Sequence, residues 1–533
     1  MRIPLARRLA LLGALNAGCL AAHAILSYGL APAGPFGESQ PNEAAVARAL
    51  AGSLRALGPD VQAFVTGETL RRPALFAAAY AIPLLASSGV FLALLASLWR
   101  SRRELTEETV RRLFRWSVGF VAVAALALPA VVQDFWLSVA WGRMLAGGVS
   151  PYHADLHAGV LAGVPLDYLD QRMTYGPLWA VLAGLVSALA GERTLLAAAL
   201  FKLLLGVAWI GALTLVLRLL RQRPAWDRCV ALAILGWMPL GVLQGVAEGH
   251  NDVVLGALVL LWLERTERAR GVPASLALGA SVLIKYVSAP LFLLDALVVR
   301  ARGLPLRSYL PRLAAVAALA AASLAVVYRS PDFFSAVLSM SGWHFYTPAD
   351  AVIGLAKTAG VEPGLASVSG AAALLLAGAV RALFVLAAGV SVLRYARSPS
   401  PRRLRSAVLA TMAGVLFGAS GHLWPWFLIW ALGPAALLPG AVLSRWVVGV
   451  AIAAPFPLLV WLIAPAGDAF SIPTVALYAF ACAWTALGPR HWFATDAPDG
   501  VGAAGYGGET PPTAGLPGRA AQPRRQGGAG AGR

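Results

Sequence analysis

Long apolar runs alternate with short polar segments along most of the chain, and this pattern predicts membrane-spanning helices. A helix needs about 20 consecutive apolar residues to cross the hydrocarbon core of a bilayer. The runs predict helices near residues 9–30, 73–98, 116–133, 194–220, 229–247, 251–263, 272–284, 286–299, 312–328, 366–393, 406–420, 426–442, 446–464 and 471–488. We therefore expect an all-α polytopic membrane protein with about 12–14 transmembrane helices and a helical first periplasmic loop.

The polar segments between the runs predict how the helices are oriented. Arginine clusters occur near residues 100–115, 218–228, 265–270, 300–307 and 394–405. Because cytoplasmic loops carry the excess of Lys and Arg, these clusters are predicted to lie inside. The apolar run at 177–190 is too short for a span, so we interpret it as a re-entrant or interfacial piece on the outer side.

The same pattern divides the chain into three parts. Residues 1–115 are predicted to hold N-terminal membrane helices and an outer loop, and residues 116–490 the catalytic membrane domain. Residues 491–533 are rich in Gly, Pro and Ala, which is typical of a disordered tail, here on the cytoplasmic side.

Composition supports a membrane protein and argues against a nucleic-acid-binding one. The chain is 59% hydrophobic and 13% charged, whereas soluble domains are at most about half apolar. The net charge of +18 comes from short clusters between apolar runs, which is how membrane topology is encoded. We therefore expect membrane lipids as partners and no nucleic acid. The three cysteines have no metal-site spacing and are expected to pack as small hydrophobes.

The unusual polar residues gather on the predicted outer side, and this convergence predicts a functional site. They are Asp134 at a helix end, the EGHND stretch at 248–252, Lys285 at the tip of a helical hairpin, the SGWHFYTPAD loop around His344, and GHLWPW with His422 and Trp424. Aromatic rings at the last two places are suited to stacking on sugars or prenyl chains, although they also fit the ordinary interfacial aromatic belt.

Asp134 is the strongest candidate for a general base. A carboxylate at a helix end beside Trp136 and Trp141 lies partly out of water. A general base for a sugar hydroxyl is such an acid, placed within hydrogen-bond reach of the acceptor. The alternative is an acid that only marks the end of the helix. The two tryptophans are expected to sit at headgroup level, on a helix that lies on the membrane surface.

EGHND is costly inside a membrane and is therefore a functional hypothesis by default. If the turn is helical, Glu248 shares a face with Asn251 and Asp252, while His250 points elsewhere. The alternative for Asn251 and Asp252 is helix capping.

Three cations and a histidine loop complete the set of candidates. Lys285 and Arg143 are candidates to bind a lipid-linked phosphate, with snorkelling as the alternative for Lys285. Lys202, inside an apolar helix, is expected to snorkel. His153, Asp155 and His157 alternate as metal ligands do, but a solvated loop is the preferred interpretation.

Several motifs resemble those of one family in order and spacing. They are QDFWLSVAWGRMLAGGVSPY with TYGPLWA, then GVAEGHNDVVLGALVLLWL, ALGASVLIKYVSAPLFLL and GHLWPWFLIWALGPAALL. Over roughly residues 116–440 the chain resembles C-type (GT-C) glycosyltransferases, most closely the bacterial polyprenol-phosphate-mannose-dependent α-mannosyltransferases.

The resemblance implies an inverting transferase that takes a sugar, most often mannose in this family, from a polyprenyl-phosphate donor on the outer face. Asp134 matches the loop aspartate taken to be the catalytic base, and Gly249–Asp252 and Lys285 match positions near the pocket. Many relatives have a second acid next to the first. Here Phe135 follows, so Glu248 becomes the candidate second acid. No cofactor is predicted, and the resemblance implies no metal.

We therefore predict a glycosyltransferase of the bacterial inner membrane that glycosylates a glycan or glycolipid acceptor on the outer face. Its catalytic residue is Asp134, and its predicted substrate-binding residues are Arg143, Tyr175, Glu248, His250, Asn251, Asp252, Lys285, His344, His422 and Trp424. Two alternatives stay open: a transporter or flippase of a lipid-linked saccharide, and a membrane glycan polymerase or ligase with a lipid-pyrophosphate donor.

Overall fold

The structure is a computed structural model, and it describes residues 4–33, 73–131, 133–156, 172–329, 345–463 and 471–493, together with Ser335. Within these ranges the secondary structure is helical, apart from one isolated bridge between Phe345 and His422. The α-helices are α1 Leu5–Ala33, α2 Pro73–Arg100, α3 Glu107–Ala125, α4 Asp134–Ala146, α5 Pro177–Ala190, α6 Thr194–Leu219, α7 Ala225–Leu232, α8 Asp252–Glu267, α9 Gly271–Ile284, α10 Leu291–Ala301, α11 Leu310–Val327, α12 Pro348–Thr358, α13 Val368–Arg397, α14 Pro401–Gly414, α15 Ile429–Ala436, α16 Val442–Ala453, α17 Pro455–Ile463 and α18 Ser471–Leu487.

The predicted fold class, an all-α polytopic membrane protein, is confirmed. Six helical stretches in the described part of the chain are long and apolar enough to cross a membrane. They are Leu5–Leu30, Ala77–Arg100, Thr194–Leu219, Leu306–Val327, Val368–Arg397 and Val442–Val460. A seventh is reached if Ala225–Trp237 and Leu240–Ala247, bent by 42°, form one span. Six or seven candidate spans in the described residues are fewer than the 12–14 expected from the apolar runs.

The difference arises because several apolar runs are broken into short pieces. A break separates the two helical segments on either side of Pro239, whose ring removes a backbone N–H donor. At 1.5 Å per residue, the 14 residues of α9 extend about 21 Å, short of a bilayer core of about 30 Å. Hydropathy alone counts such pieces as spans because they are apolar. Their length shows that they are too short to cross the bilayer core.

The first outer loop forms a helix, but α4 does not lie on the membrane surface as expected. Trp136 and Trp141 are each only 2% exposed, so both are packed inside the protein and not at headgroup level. The expectation of a helix on the membrane surface was wrong because nine of the 13 residues of α4, both tryptophans included, are buried in the protein. At Gly142 a Cβ would lie 2.3 Å from the carbonyl oxygen of Ala183 in α5, so the two helices touch backbone to backbone.

Two further boundaries differ from those predicted. The third helix begins at Glu107, nine residues before its apolar run, because Thr106 caps its N-terminus by accepting a hydrogen bond from the Thr109 amide. Helix α12 was not predicted. Thr347 and Asp350 form a capping box at its start, a pattern that the sequence does contain.

Candidate functional site

Asp134 occupies the first turn of α4 and keeps 30% of its side-chain surface exposed. Its Oδ2 atom lies 3.6 Å from Nδ1 of His250, which belongs to the EGHND turn. The hydroxyl of Tyr175 also donates a hydrogen bond to the Asp134 carboxylate. Three sequence segments that are far apart in the chain therefore meet at one accessible carboxylate.

Gly249 allows the EGHND turn to present His250 to Asp134. Its φ of +83° lies in the left-handed region, which an L-residue with a side chain adopts only at a cost. A Cβ at this position would lie 2.3 Å from Cδ2 of Phe135, the residue after Asp134. The turn therefore packs its backbone directly against α4, and only glycine permits that approach.

A column of stacked rings extends from the Asp134–His250 pair. The imidazole of His250 stacks on the indole of Trp426, with ring centroids 4.0 Å apart and planes 9° apart. Trp424 stacks on the other side of the column, 5.0 Å from Trp426 and 8° from parallel. Trp424 is half-buried, so its ring forms the accessible end of the column.

Lys285 lies in an aromatic cage and is paired with a buried carboxylate. Its Nζ atom donates a hydrogen bond of 2.9 Å to Oδ1 of Asp252, which is 1% exposed and also accepts from the indole N–H of Trp430. The same Nζ lies 4.0 Å from the ring centroid of Phe427 and 5.4 Å from that of Tyr175. Lys285 keeps 13% of its surface exposed, so it does not snorkel away from the cluster.

The Tyr175–Gly176 segment joins the Asp134 and Lys285 ends of the cluster. The amide of Gly176 donates to the carbonyl oxygen of Ile284, the residue before Lys285, at 2.9 Å. A Cβ on Gly176 would lie 2.1 Å from the carbonyl oxygen of Leu283, so the loop and α9 are in direct backbone contact. Tyr175 is thereby held with its hydroxyl on Asp134 and its ring beside Lys285.

Electrostatics keeps Asp134 ionised. Burial acts to raise the pKa of Asp134, but the neighbouring imidazole of His250, the charge of Lys285 and the hydroxyl of Tyr175 outweigh it and hold the pKa below its ordinary value. Burial and the neighbouring carboxylates raise the pKa of Tyr175 well above its ordinary value, so its phenol stays protonated as a donor. The site therefore contains an anionic oxygen, a neutral donor and a cation side by side.

The structure places the other candidates in different surroundings. Arg143 lies in the last turn of α4, where it donates to the carbonyl oxygen of Glu192 and to Thr194 Oγ1. Asn251 precedes α8 and is 4% exposed. His422 packs its ring 5.2 Å from that of Phe345, next to the aromatic column.

Two expectations concern the loops around the cluster. His153 accepts a hydrogen bond from the Arg329 amide, and Asp155 pairs with Arg172 at 3.1 Å on an exposed surface. His157 and His344 lie outside the described residues. Among the residues that the structure describes, no three His, Cys, Asp or Glu side chains are grouped as metal ligands would be.

Glu248 is brought close to the site but not to its accessible side. It is fully buried, and its Oε2 atom accepts the backbone N–H groups of Ala130 and Val131, each at 3.0 Å. His23 of α1, which the sequence did not single out, lies 3.7 Å from its other oxygen. Lys202 does not snorkel as expected: it is 3% exposed and donates to the carbonyl oxygen of Val246 at 2.8 Å.

One comparison with known proteins finds a match to a family model. Residues 44–302, just under half of the chain, match the MptA_B family, described as alpha-(1->6)-mannopyranosyltransferase, N-terminal domain. The matched region contains Asp134, Tyr175, the EGHND turn and Lys285. No curated protein matches the chain. The resemblance to GT-C mannosyltransferases stated from the motifs is confirmed by this match.

Proposed function

We propose that this GT-C-type α-mannosyltransferase takes its mannosyl group from a polyprenyl-phosphate donor and transfers it, with inversion, to a hydroxyl of a glycan or glycolipid acceptor on the outer face of the membrane. The family match supports an α-mannosyltransferase, a membrane enzyme that needs a sugar donor and a glycan acceptor. The donor, the face and the stereochemistry are our proposal.

One observation carries the proposal: an ionised, partly exposed carboxylate lies within one cluster with a cation and an aromatic column. Transfer from a glycosyl phosphate needs a base for the acceptor hydroxyl, a positive charge for the departing phosphate, and a surface that orients the sugar. Asp134, Lys285 and the Trp424–Trp426 stack are suited to these three tasks.

The reaction proceeds as a single displacement at the anomeric carbon. Asp134 accepts the proton of the acceptor hydroxyl while the acceptor oxygen bonds to the anomeric carbon. The bond between that carbon and the phosphate oxygen breaks, and the electron pair leaves with the polyprenyl phosphate. Because a displacement inverts the anomeric carbon, an α-linked product requires a β-linked donor.

The low pKa of Asp134 suits the resting enzyme and changes when substrate binds. A carboxylate with a lowered pKa is ionised but is a weak base. When the anionic donor phosphate approaches, Lys285 is shared with it and stabilises the Asp134 carboxylate less. The pKa of Asp134 then rises towards the value at which it accepts a proton best.

Lys285 is our candidate for the phosphate, because Arg143 is engaged at the other end of α4. Asp252 already neutralises part of the Lys285 charge, so the ammonium is held in place before the donor arrives. A preorganised cation needs no rearrangement as charge develops on the leaving oxygen.

The experiment is a donor panel with the purified protein in detergent or nanodiscs. Polyprenyl phosphates carrying β-mannose, β-glucose or arabinose, a lipid-pyrophosphate saccharide and a nucleotide sugar are each supplied with a mannan oligosaccharide acceptor. We expect release of polyprenyl phosphate and an α-linked product only with the β-mannosyl lipid. Turnover only with the pyrophosphate lipid would instead indicate a polymerase or ligase, and movement of lipid between leaflets without bond cleavage a flippase.

A further inference from the structure

A group of buried polar side chains lies behind the Asp134–His250 pair, away from its exposed side. His23 comes from α1, Lys202 from α6 and Glu248 from the end of the Leu240–Ala247 segment. Their exposed fractions are 1%, 3% and 0%, compared with 30% for Asp134. Ionisable groups inside a membrane protein are costly to bury, so three of them together call for an explanation.

Glu248 joins the two segments that carry the reacting pair. Its Oε2 atom accepts hydrogen bonds from the amides of Ala130 and Val131, which lie in the non-helical stretch just before Asp134. Two residues after Glu248 the same chain presents His250. One carboxylate therefore fixes the start of α4 relative to the EGHND turn.

Lys202 holds the same two segments from a different direction. Its ammonium donates to the carbonyl oxygens of Val246 and Ala247, at the end of the helical segment that leads into EGHND. It also lies 5.4 Å from the ring centroid of Phe135, next to Asp134. A cation at the carbonyl end of a helical segment is favourable, and here it satisfies carbonyls that the helix leaves without partners.

His23 closes the group on the side of α1. Its Nε2 atom lies 3.7 Å from Oε1 of Glu248, and its ring packs edge-on against Tyr80 of α2 with centroids 5.7 Å apart. Tyr80 in turn accepts a hydrogen bond from Gln244, in the segment that ends before Glu248. His23 lies upstream of residue 44, where the family match begins, so this part of the support is outside the matched region.

We infer that Glu248, Lys202 and His23 form a buried bracket that holds Asp134 at its working distance from His250. They are positioning residues of the transfer reaction and bind neither donor nor acceptor. The inference rests on the proposed function, because it assigns the bracket to the geometry of the proposed base. It also replaces the expectation that Glu248 is a second acid, since a fully buried carboxylate that holds two backbone amides cannot reach a substrate.

A matched pair at Glu248 tests the inference. In Glu248→Gln the amide oxygen accepts the Ala130 and Val131 hydrogen bonds as Oε2 does now, but the side chain cannot act as an acid or base. In Glu248→Ala both backbone amides lose their partner. We expect Glu248→Gln to retain kcat within about tenfold, and Glu248→Ala to lose about 100-fold in kcat, the effect of a misplacement of roughly 1 Å, with the donor KM changed less than about threefold.

A second pair of variants, at Lys202, tests the same inference if Glu248→Ala does not accumulate as folded protein. Lys202→Arg keeps a charged donor for the Val246 and Ala247 carbonyls, whereas Lys202→Met keeps the length of the side chain and removes the donor. We expect kcat to fall with Met and to be largely restored with Arg. Structures of the Glu248→Ala or Lys202→Met variants should show Asp134 and His250 separated beyond the present 3.6 Å.

The outcomes separate this inference from the proposed function. If wild-type protein transfers no sugar from any polyprenyl phosphate, the proposed function fails before the bracket is tested. If wild type is active but Glu248→Gln is as inactive as Asp134→Asn, Glu248 reacts with substrate and the bracket is wrong. Full activity of both Glu248→Ala and Lys202→Met, or a loss confined to KM, overturns it as well.

Discussion

The Nδ1 atom of His250 lies 3.6 Å from the Oδ2 atom of Asp134, and one face of the same imidazole is covered by Trp426. The histidine therefore joins the carboxylate to the aromatic column. A sugar that stacks on the accessible end of the column, at Trp424, is held by the same framework that holds the proposed base. This relationship ties the position of the substrate to the position of Asp134.

Replacement of Asp134 by Asn should remove most of the transfer activity. The amide cannot accept the proton of the acceptor hydroxyl, and general base catalysis contributes about 10²–10⁴-fold. We expect kcat to fall by about 1,000-fold while the donor KM stays within a few-fold. Initial rates of polyprenyl phosphate release measure both constants.

Asp155→Asn is the control for this substitution. Asp155 is half exposed, follows α4 in the same loop and pairs with Arg172, away from the cluster. Loss of an exposed ion pair changes stability by about 1 kcal/mol at most, so activity should be that of the wild type. A wild-type rate for Asp134→Asn in correctly inserted protein would refute the role of Asp134.

Replacement of His250 by Phe should move the acid limb of the pH–rate profile to higher pH. Phenylalanine keeps a ring on Trp426 but removes the imidazole whose presence lowers the pKa of Asp134. In wild type the carboxylate is active above its lowered pKa, so activity is lost only as the pH falls below the ordinary titration range of an Asp carboxyl. In the variant burial raises the pKa with less opposition, so the loss begins at a higher pH than in wild type.

The measurement is kcat/KM as a function of pH, because this ratio reports the ionisation of the free enzyme. Arg329, whose exposed guanidinium donates to the carbonyl oxygen of its neighbour Tyr328, provides a control in Arg329→Gln. An acid limb at the same pH in His250→Phe and wild type would show that His250 does not set the pKa of Asp134.

The sequence was sufficient to predict which polar residues meet. Asp134, EGHND, Lys285 and GHLWPW were expected on one face because arginine clusters fix the topology and because polar groups in apolar runs are costly. The structure brings all four segments into contact. Contact between these four segments could be predicted because it depends on which end of each helix a residue occupies. The membrane topology determines which end that is.

The partners of individual side chains could not be predicted. Arg143 and Lys202 have the residue type expected of a phosphate ligand or a snorkelling side chain, yet each caps carbonyl groups of another segment. Glu248 has the residue type of a catalytic acid and instead holds two amides. Such roles depend on which backbone groups the neighbouring helices leave without a partner, and periodicity carries no information about that.

The Lys285–Asp252 pair should show separate effects on stability and on catalysis. Lys285→Met leaves the buried Asp252 carboxylate without its cation, which should lower the stability by about 3 kcal/mol. In the Lys285→Met and Asp252→Asn double variant no unpaired charge remains, so most of that stability should return. Activity should stay low, because the cation for the departing phosphate is still missing.

Thermal unfolding in detergent and kcat/KM for the donor measure the two effects on the same preparations. Recovery of both stability and turnover in the double variant would mean that the pair has only a structural role. Recovery of stability alone supports Lys285 as the phosphate-binding residue.

Gly176→Ala should disrupt the contact that carries Tyr175 to Asp134. The new Cβ would lie 2.1 Å from the carbonyl oxygen of Leu283, so the loop must move away from the end of α9 and break the Gly176–Ile284 hydrogen bond. Overpacking of this kind costs about 1–3 kcal/mol. We expect a lower unfolding temperature and a loss of at least about tenfold in kcat, since Tyr175 leaves the carboxylate.

Gly211→Ala in α6 is the matched control, because no atom lies within 4 Å of its Cβ and alanine favours the helix. Equal stability and activity for the two variants would show that the close approach of the loop to α9 is not needed for the site.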